Sequence, residues 1–190
     1  MKRLLTMNVV ARSLALWAAF MLVMGLVFAL GWATHRDAWN TGVDVPRETG
    51  WPVLWFILGH NLLLIALIVA GNLFVRFGGV TPGLLVLAWQ AVAIGWTAGT
   101  NGFMEPFPTV RAANEAFLRI GLWETTAYAL ICAVTLTQSL YVADTFPAKA
   151  WAETRRIRDL RFSSADILVA GTGLLSLLFA AVSEAFLFLD

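Results

Sequence analysis

The sequence is poor in charge and contains a single cysteine. Only 13% of its 190 residues are charged, whereas a soluble domain carries about a quarter. Hydrophobic residues make up 59% of the chain, and its mean hydropathy is +0.76. Cys132 lies in an apolar run, where it cannot form an internal disulfide and fits a small packing residue. Together these values exclude an ordinary soluble domain and predict one polytopic membrane domain over residues 1–190.

The common catalytic and ligand-binding motifs are also missing. There is no His-Glu-x-x-His, no Gly-x-Ser-x-Gly and no glycine-rich phosphate loop with a lysine. One histidine and two glutamates from three helices could be brought around zinc, but no ligand spacing supports such a site. The net charge is +1, and no basic patch is interleaved with aromatic residues. We therefore predict no catalytic residues, no metal, no cofactor and no nucleic-acid partner.

Five apolar runs are long enough to cross a bilayer, which takes about 20 residues of helix. The first run follows Lys2, Arg3 and Arg12, as in a signal peptide, but it is longer than a signal core. No Ala-x-Ala cleavage site follows it, so we expect an uncleaved helix. The sequence thus predicts an all-α membrane helix bundle with five transmembrane helices, at about 13–33, 51–75, 81–100, 116–142 and 166–189.

The distribution of lysine and arginine predicts the orientation of this bundle. If the amino terminus is inside, the inner segments carry nine of these residues and the outer segments carry four. Cytoplasmic segments of membrane proteins are enriched in lysine and arginine. We therefore expect a cytoplasmic amino terminus and a carboxyl terminus on the outside.

The predicted fourth helix carries a carboxylate, Glu124, about a third of the way along. An ionisable group at that depth costs roughly 2.5–3.5 kcal/mol on insertion scales, so it usually faces the bundle interior and has a partner. Thr135 and Gln138 fall within about 40° of Glu124 around a helix of 100° per residue, which makes a polar stripe. We expect polar groups of the other helices to meet this stripe at three depths: His60, Asn61 and Glu184 with Glu124, Gln90 near the midplane, and Asn72 with Thr135 and Gln138.

Two interpretations of this intramembrane cluster remain open. The polar side chains could fix the bundle through interhelical hydrogen bonds, each contributing about 0.6 kcal/mol. Alternatively, Glu124 could act as an acid or base, with His60 as its partner. A dry pairing of Glu124 with Asn61 would favour the first interpretation.

Small residues predict close helix packing at two places. Gly95 and Gly99 form a small-xxx-small pair near the end of the predicted third helix, and Gly121 lies in the fourth. Glycine at such positions allows the backbone of another helix to approach closely.

The segment from Asp144 to Ala165 is polar and basic, and we expect it to be a cytoplasmic docking loop. Lysine and arginine near an anionic membrane surface each contribute about 1 kcal/mol of attraction. An apolar edge formed by Trp151, Ile157, Leu160 and Phe162 would suit an interfacial helix or a partner subunit. Ordinary positive-inside bias also explains the charge. The candidate docking residues are Arg155, Arg156, Arg158 and Arg161.

Three stretches occur in the order seen in a known family. Asn61 lies in GHNLLLIALIVAGN, the phrase GGVTPGLLVLAWQAVAIGWTAG ends in Gly95-xxx-Gly99, and Gly121-Leu122-Trp123-Glu124 matches the tail of a His-Gly-x-x-Glu motif. In this respect the chain resembles the stage II sporulation protein M-like membrane proteins over about 80 residues. The chain departs from the family pattern at two positions: Ile94 stands where the family has Asn, and Ile120 stands where the family has the His of the motif. The missing His makes a family-wide enzymatic role less favoured here.

The resemblance implies a component of a larger assembly in a bacterial or archaeal inner membrane. Founding members of that family assist membrane migration and peptidoglycan remodelling in spore engulfment. Small relatives occur with an ATPase in systems that export circular bacteriocins and confer immunity to them. We therefore expect a non-enzymatic subunit, a scaffold or export path, that contacts membrane lipids and forms a homo-oligomer or binds other subunits, including an ATPase. The alternatives are an intramembrane enzyme acting on a peptide or lipid, with Glu124 as acid or base, and, last, a proton-coupled carrier.

Overall fold

Five helices are long and apolar enough to cross a membrane, which confirms the predicted all-α, multi-pass bundle. The structure, a computed structural model, describes residues 2–39 and 48–187. A short helix, α1 (Lys2–Thr6), precedes the first span. The spans begin with α2 (Val9–Thr34), α3 (Trp51–Phe74) and α4 (Pro82–Gly99). The fourth span joins α5 (Val110–Ala116) to α6 (Leu122–Thr135), and the fifth is α7 (Ser164–Val182) with the turn that follows it.

Two of the five spans contain a π-helical turn. The first turn, Phe117–Gly121, connects α5 to α6, and the second, Ser183–Leu187, continues α7. A π turn inserts an extra residue into a helix and is found frequently at functional sites. The two turns contact each other, so both irregular segments lie at the same depth in the bundle.

Short polar side chains set where four of the helices begin. Each accepts a hydrogen bond from a backbone N–H in the first turn, which satisfies a donor that has no partner within the helix. The four caps are Asn8 before α2, Thr81 before α4, Thr109 before α5 and Ser163 before α7. Pro82 follows Thr81 in the first turn of α4, where its missing N–H is not needed.

The fourth span is the centre of the bundle. Half of its apolar stretch is buried, compared with 17–33% in the other four spans. Ala127, Cys132 and Ala133 of α6 are completely buried, and they pack in one core cluster with Ile68 of α3 and Leu177 of α7. Small side chains on α6 let the surrounding helices approach it closely.

Helices α2 and α4 also cross closely. A Cβ atom on Gly99 would lie 3.1 Å from the Cα atom of Gly31, and one on Gly95 would lie 3.1 Å from the Cα atom of Met24. Gly95 and Gly99 thus lie where the two backbones cross. Gly121 is placed differently, because the atoms nearest to a Cβ there belong to the ring of Phe117 in its own turn.

A small sheet at one end of the bundle was not predicted. Strand β1 (Val75–Phe77) continues directly from α3 and pairs in parallel with β2 (Tyr141–Ala143), and β2 pairs in antiparallel fashion with β3 (Ala152–Glu153). We call this the sheet end; it also holds the beginnings of α2, α4 and α7. The tight turn after β1 uses Gly78 and Gly79, both at positive φ, a conformation that other residues rarely adopt.

The sheet explains why the predicted bounds of the fourth helix are wrong. The span runs over Val110–Thr135 instead of 116–142. The backbone leaves the helix after Thr135, and the amide of Leu140 then donates to the carbonyl of Leu73 at 2.7 Å. The first span likewise begins at Val9, before the expected residue 13, while the expected end of the fifth at 189 lies outside the described residues.

Candidate functional site

The candidate site is a hydrogen-bonded chain of side chains that joins α3 to α6. The side-chain amide of Asn61 donates to Oε1 of Glu124 at 2.7 Å. The hydroxyl of Tyr128, one turn beyond Glu124 on α6, donates to Oδ1 of Asn61. Asn61 and Tyr128 are buried, with 6% and 3% of their surfaces exposed, and Glu124 is partly buried. Asn61 is therefore held from both sides and fixes one oxygen of the carboxylate.

The second intramembrane glutamate lies close to this chain. Glu184 is part of the π turn after α7, and Glu124 follows the π turn before α6. The two carboxyl groups are close enough to interact electrostatically, and both also interact with Tyr128. The structure thus brings Asn61, Glu124 and Glu184 together, as the sequence analysis expected, and adds Tyr128. Because Tyr128 is four residues after Glu124, helix periodicity alone would have identified it.

Two other residues of the predicted cluster lie elsewhere. His60 is exposed whereas its neighbour Asn61 is buried, because adjacent residues of a helix are rotated by about 100°. It is not the partner of Glu124. Gln90 on α4 is partly exposed, and within residues 2–39 and 48–187 its side chain makes no hydrogen bond to the cluster.

Asn72 is the centre of a second polar network, near the sheet end. Its side-chain amide donates to Oγ1 of Thr135 at 2.8 Å and to the carbonyl of Cys132 at 3.3 Å. Its Oδ1 accepts a hydrogen bond of 2.5 Å from Thr81, the cap of α4, and its carbonyl accepts one of 2.8 Å from Ser139. Asn72 is completely buried. This network ties α3, α4 and α6 together, and its polar atoms are satisfied, which fits a structural role.

Gln138 belongs to the sheet end and not to the intramembrane stripe. It lies beyond the end of α6, so the expectation that it shares a helical face with Glu124 is wrong. Its amide donates to the carbonyl of Arg161 at 3.1 Å, and its Oε1 accepts a hydrogen bond from the Arg155 guanidinium. Gln138 thereby holds Arg155, one of the predicted docking residues.

The other docking arginines are exposed and differ in their contacts. Arg156 is 3.3 Å from Glu153 and Arg158 is 4.0 Å from Asp159. Exposed pairs of this kind contribute little to stability. Arg161 is exposed as well. These three side chains are therefore available at the surface of the sheet end.

Arg12 is a buried residue that the sequence analysis counted only as a boundary charge. It lies in the first turn of α2 with 5% of its surface exposed. Its Nε donates to the carbonyl of Ala133 at 2.7 Å, and its guanidinium donates to the carbonyl of Met7 at 3.3 Å. Arg12 thus ties the beginning of α2 to the end of α6. No sequence pattern separates it from a solvated arginine.

The arrangement can hold a carboxylate inside the bundle and join α3 to α6. Among the described residues, no group of three or more His, Cys, Asp and Glu side chains is placed to hold a metal ion. Comparisons with protein-family models, with curated proteins and with solved structures returned no match. The resemblance to the stage II sporulation protein M-like family therefore stays a prediction.

Proposed function

We propose that the chain is a non-enzymatic integral membrane subunit that works within a larger membrane assembly. The observation that carries this proposal is a stripe of exposed residues along α3, which we call the α3 outer face. It consists of Phe56, Gly59, His60, Leu63 and Leu67. Their spacing of three and four residues places them on one side of the helix.

His60 makes this face unusual for a surface that meets only lipid. Nine residues of helix separate it from Trp51, so it lies about 14 Å into the span at 1.5 Å per residue. Its neighbours on the face are apolar and exposed, with exposed fractions of 76% for Phe56 and 62% for Leu63. Polar side chains within membrane spans usually face protein, because hydrocarbon offers no hydrogen-bond partner. A helix of another subunit on this face would supply one.

Gly59 adds a second reason to expect a helix on this face. A Cβ atom on Gly59 would have nothing within 4 Å, so its small size is not needed for packing inside the chain. Glycine on the surface of a membrane helix allows another helix backbone to approach closely. The α3 outer face thus has a polar side chain, His60, beside a glycine, Gly59, at which another helix can pack closely. Both features favour a protein neighbour over lipid.

The geometry around Glu124 favours a non-enzymatic role. A general acid or base needs its reactive oxygen within hydrogen-bond reach of a substrate. Here Asn61 fixes one carboxylate oxygen at 2.7 Å, and Tyr128 holds Asn61 in turn. This is the pairing that the sequence analysis associated with a structural tie. The opposing candidate, an intramembrane enzyme acting on a peptide or lipid, is supported by the proximity of Glu184 and by the two π turns.

Sequence features support more specific proposals for the orientation, the type of membrane and the partners of the chain. The count of lysine and arginine supports a cytoplasmic sheet end with an outer carboxyl terminus. The resemblance to the stage II sporulation protein M-like family supports a bacterial or archaeal inner membrane and a role in peptide export, such as that of a bacteriocin, or in envelope remodelling. An ATPase is the candidate partner for the basic loop. Further copies of this chain or other membrane subunits are candidates for the α3 outer face.

Photo-crosslinking in native membranes tests the proposal. A photoreactive phenylalanine analogue replaces Leu63 on the α3 outer face, which is 62% exposed, and a matched variant carries it at Leu175 on α7, which is 68% exposed. We expect a protein adduct, identified by mass spectrometry, from position 63 and only lipid adducts from position 175. Adding His60→Leu should reduce the protein adduct. Lipid adducts alone at position 63, in membranes that also contain the natural partners, would contradict an interface on this face.

A further inference from the structure

Arg76 occupies an unusual position at the sheet end. It is the central residue of β1 and is paired in register with Val142 of β2, and its side chain is partly buried. Within the described part of the chain its guanidinium forms no hydrogen bond and no ion pair with a carboxylate. Partial burial and the nearby charge of Arg155 lower the pKa of Arg76. Among the described residues, a cation is thus held at this place without a carboxylate paired to it.

The sheet also brings Arg155 to the same region. The amide of Leu140 donates to Leu73 just before β1, and the carbonyl of Leu140 accepts from the amide of Thr154 at 2.8 Å. Arg155 follows Thr154 directly and is partly buried. Its guanidinium is fixed by the hydrogen bond to Gln138. Two arginines are therefore positioned by the backbone ladder and by a buried amide.

Among the described residues no carboxylate near the sheet, Asp144 after β2 included, forms an ion pair with Arg76 or Arg155. Glu153 lies 3.3 Å from Arg156 and Asp159 lies 4.0 Å from Arg158. Asp166 accepts hydrogen bonds from the backbone amide and the hydroxyl of Ser163, at 2.8 and 2.7 Å. Like charges held close together repel one another unless an opposite charge lies nearby. An external anion would supply that charge.

We propose that Arg76 and Arg155 form a binding site for the phosphate group of an anionic membrane lipid. Guanidinium groups bind phosphate with paired hydrogen bonds, and basic pockets beside membrane helices bind lipid head groups. The inference is independent of the α3 outer face, because the site lies at the sheet end and uses other residues.

The position of the site favours a lipid over a soluble phosphate. Strand β1 begins at the residue after α3 ends, so Arg76 lies directly at the end of a membrane span. Three aromatic side chains of β2 and of the loop between β2 and β3 are exposed: Tyr141 by 43%, Phe146 by 77% and Trp151 by 48%. Aromatic rings are enriched at the level of lipid head groups. Basic and aromatic groups together match the head-group region of a bilayer.

Lipid binding by the purified full chain tests this site. The chain is placed in nanodiscs of phosphatidylcholine, and binding of added phosphatidylglycerol is measured with the wild type, Arg76→Gln and Arg155→Gln. Each variant should bind about fivefold more weakly, the effect of about 1 kcal/mol per cation. Arg111→Gln is the matched control, because Arg111 is exposed near the other end of the bundle and pairs with Glu115 at 2.9 Å. It should bind like the wild type.

Further arms of the experiment separate the alternatives. Arg76→Lys keeps the charge but not the paired hydrogen bonds of the guanidinium; it should bind more tightly than Arg76→Gln, and it guards against a glutamine variant that fails to fold. Inorganic phosphate should not displace phosphatidylglycerol; equal competition would show a soluble anion as the ligand and overturn the lipid assignment. Unchanged lipid binding in Arg76→Gln and Arg155→Gln would also overturn it. If these variants instead lost a co-purified protein while lipid binding stayed the same, the arginines would bind a protein and the lipid assignment would be wrong.

Discussion

The crossing of α2 and α4 permits a sharp test, because a single methyl group should separate two kinds of glycine. Gly95 lies against α2, where an added Cβ would be 2.5 Å from the carbonyl oxygen of Met24 and 3.0 Å from the Cβ atom of Val27. Carbon atoms prefer separations of about 3.5–4.0 Å. Gly25, on α2, has nothing within 4 Å of such a methyl group. The variant Gly95→Ala therefore adds a methyl group in contact with another helix, whereas Gly25→Ala adds one with no neighbouring atoms within 4 Å.

The magnitudes follow from two opposing effects. Alanine is favoured over glycine inside a helix by about 1 kcal/mol. Overpacking a close contact costs about 1–3 kcal/mol, and at Gly95 the obstructing atoms include the backbone of α2, which moves only with its whole helix. We expect Gly95→Ala to lower the free energy of unfolding by about 1–2 kcal/mol. Gly25→Ala should raise it by up to about 1 kcal/mol.

Unfolding in mixed micelles provides the assay. Sodium dodecyl sulphate is titrated into a mild detergent, and the fluorescence of the nine tryptophans reports unfolding. The difference in sign between the two variants is the decisive result, since both share the gain in helix propensity. A Gly95→Ala protein as stable as Gly25→Ala would refute the close crossing of α2 and α4.

Two further variants test the polar networks. Asn72→Leu removes the side-chain hydrogen bonds to Thr81, to Thr135 and to the carbonyl and Sγ of Cys132, and should cost about 2 kcal/mol at about 0.6 kcal/mol each. The same substitution at Asn114, which is exposed, should change stability little; equal losses at both positions would contradict the network. Glu124→Gln keeps a side-chain oxygen that can accept the hydrogen bond from Asn61. Assembly, judged by detergent gel filtration, should therefore persist together with function. Normal assembly with lost function would instead favour the enzymatic candidate.

The sequence predicted the bundle and part of the site because both depend on long-range periodicity. Asn61 and Glu124 were placed at one depth by counting residues from the aqueous ends of two apolar runs, and they do form a hydrogen bond. Counting does not give the rotation of α3, so His60 and its neighbour Asn61 could not be assigned to their two faces. That rotation is set by the packing of the whole helix.

The end of the fourth span depended on contacts that are distant in sequence. Apolar residues continue beyond Thr135, but the amide of Leu140 pairs with Leu73 and the chain enters a strand. Strands of two or three residues are too short to show an alternating pattern. For the same reason the position of Gln138 and its contact with Arg155 could not be predicted.

The sheet has a mechanical consequence for the bundle. At the sheet end, β1 and β2 join the ends of α3 and α6 through backbone hydrogen bonds, which no change of side-chain rotamer can release. Nearer the other end, the same two helices are joined by the side chains of Asn61, Glu124 and Tyr128, whose bonds break by simple rotation. The sheet therefore fixes the two helices to each other at one end, and the hydrogen-bonded side chains hold them together reversibly at the other. Any parting of α3 from α6 would swing about the strands and open widest beside the two π turns.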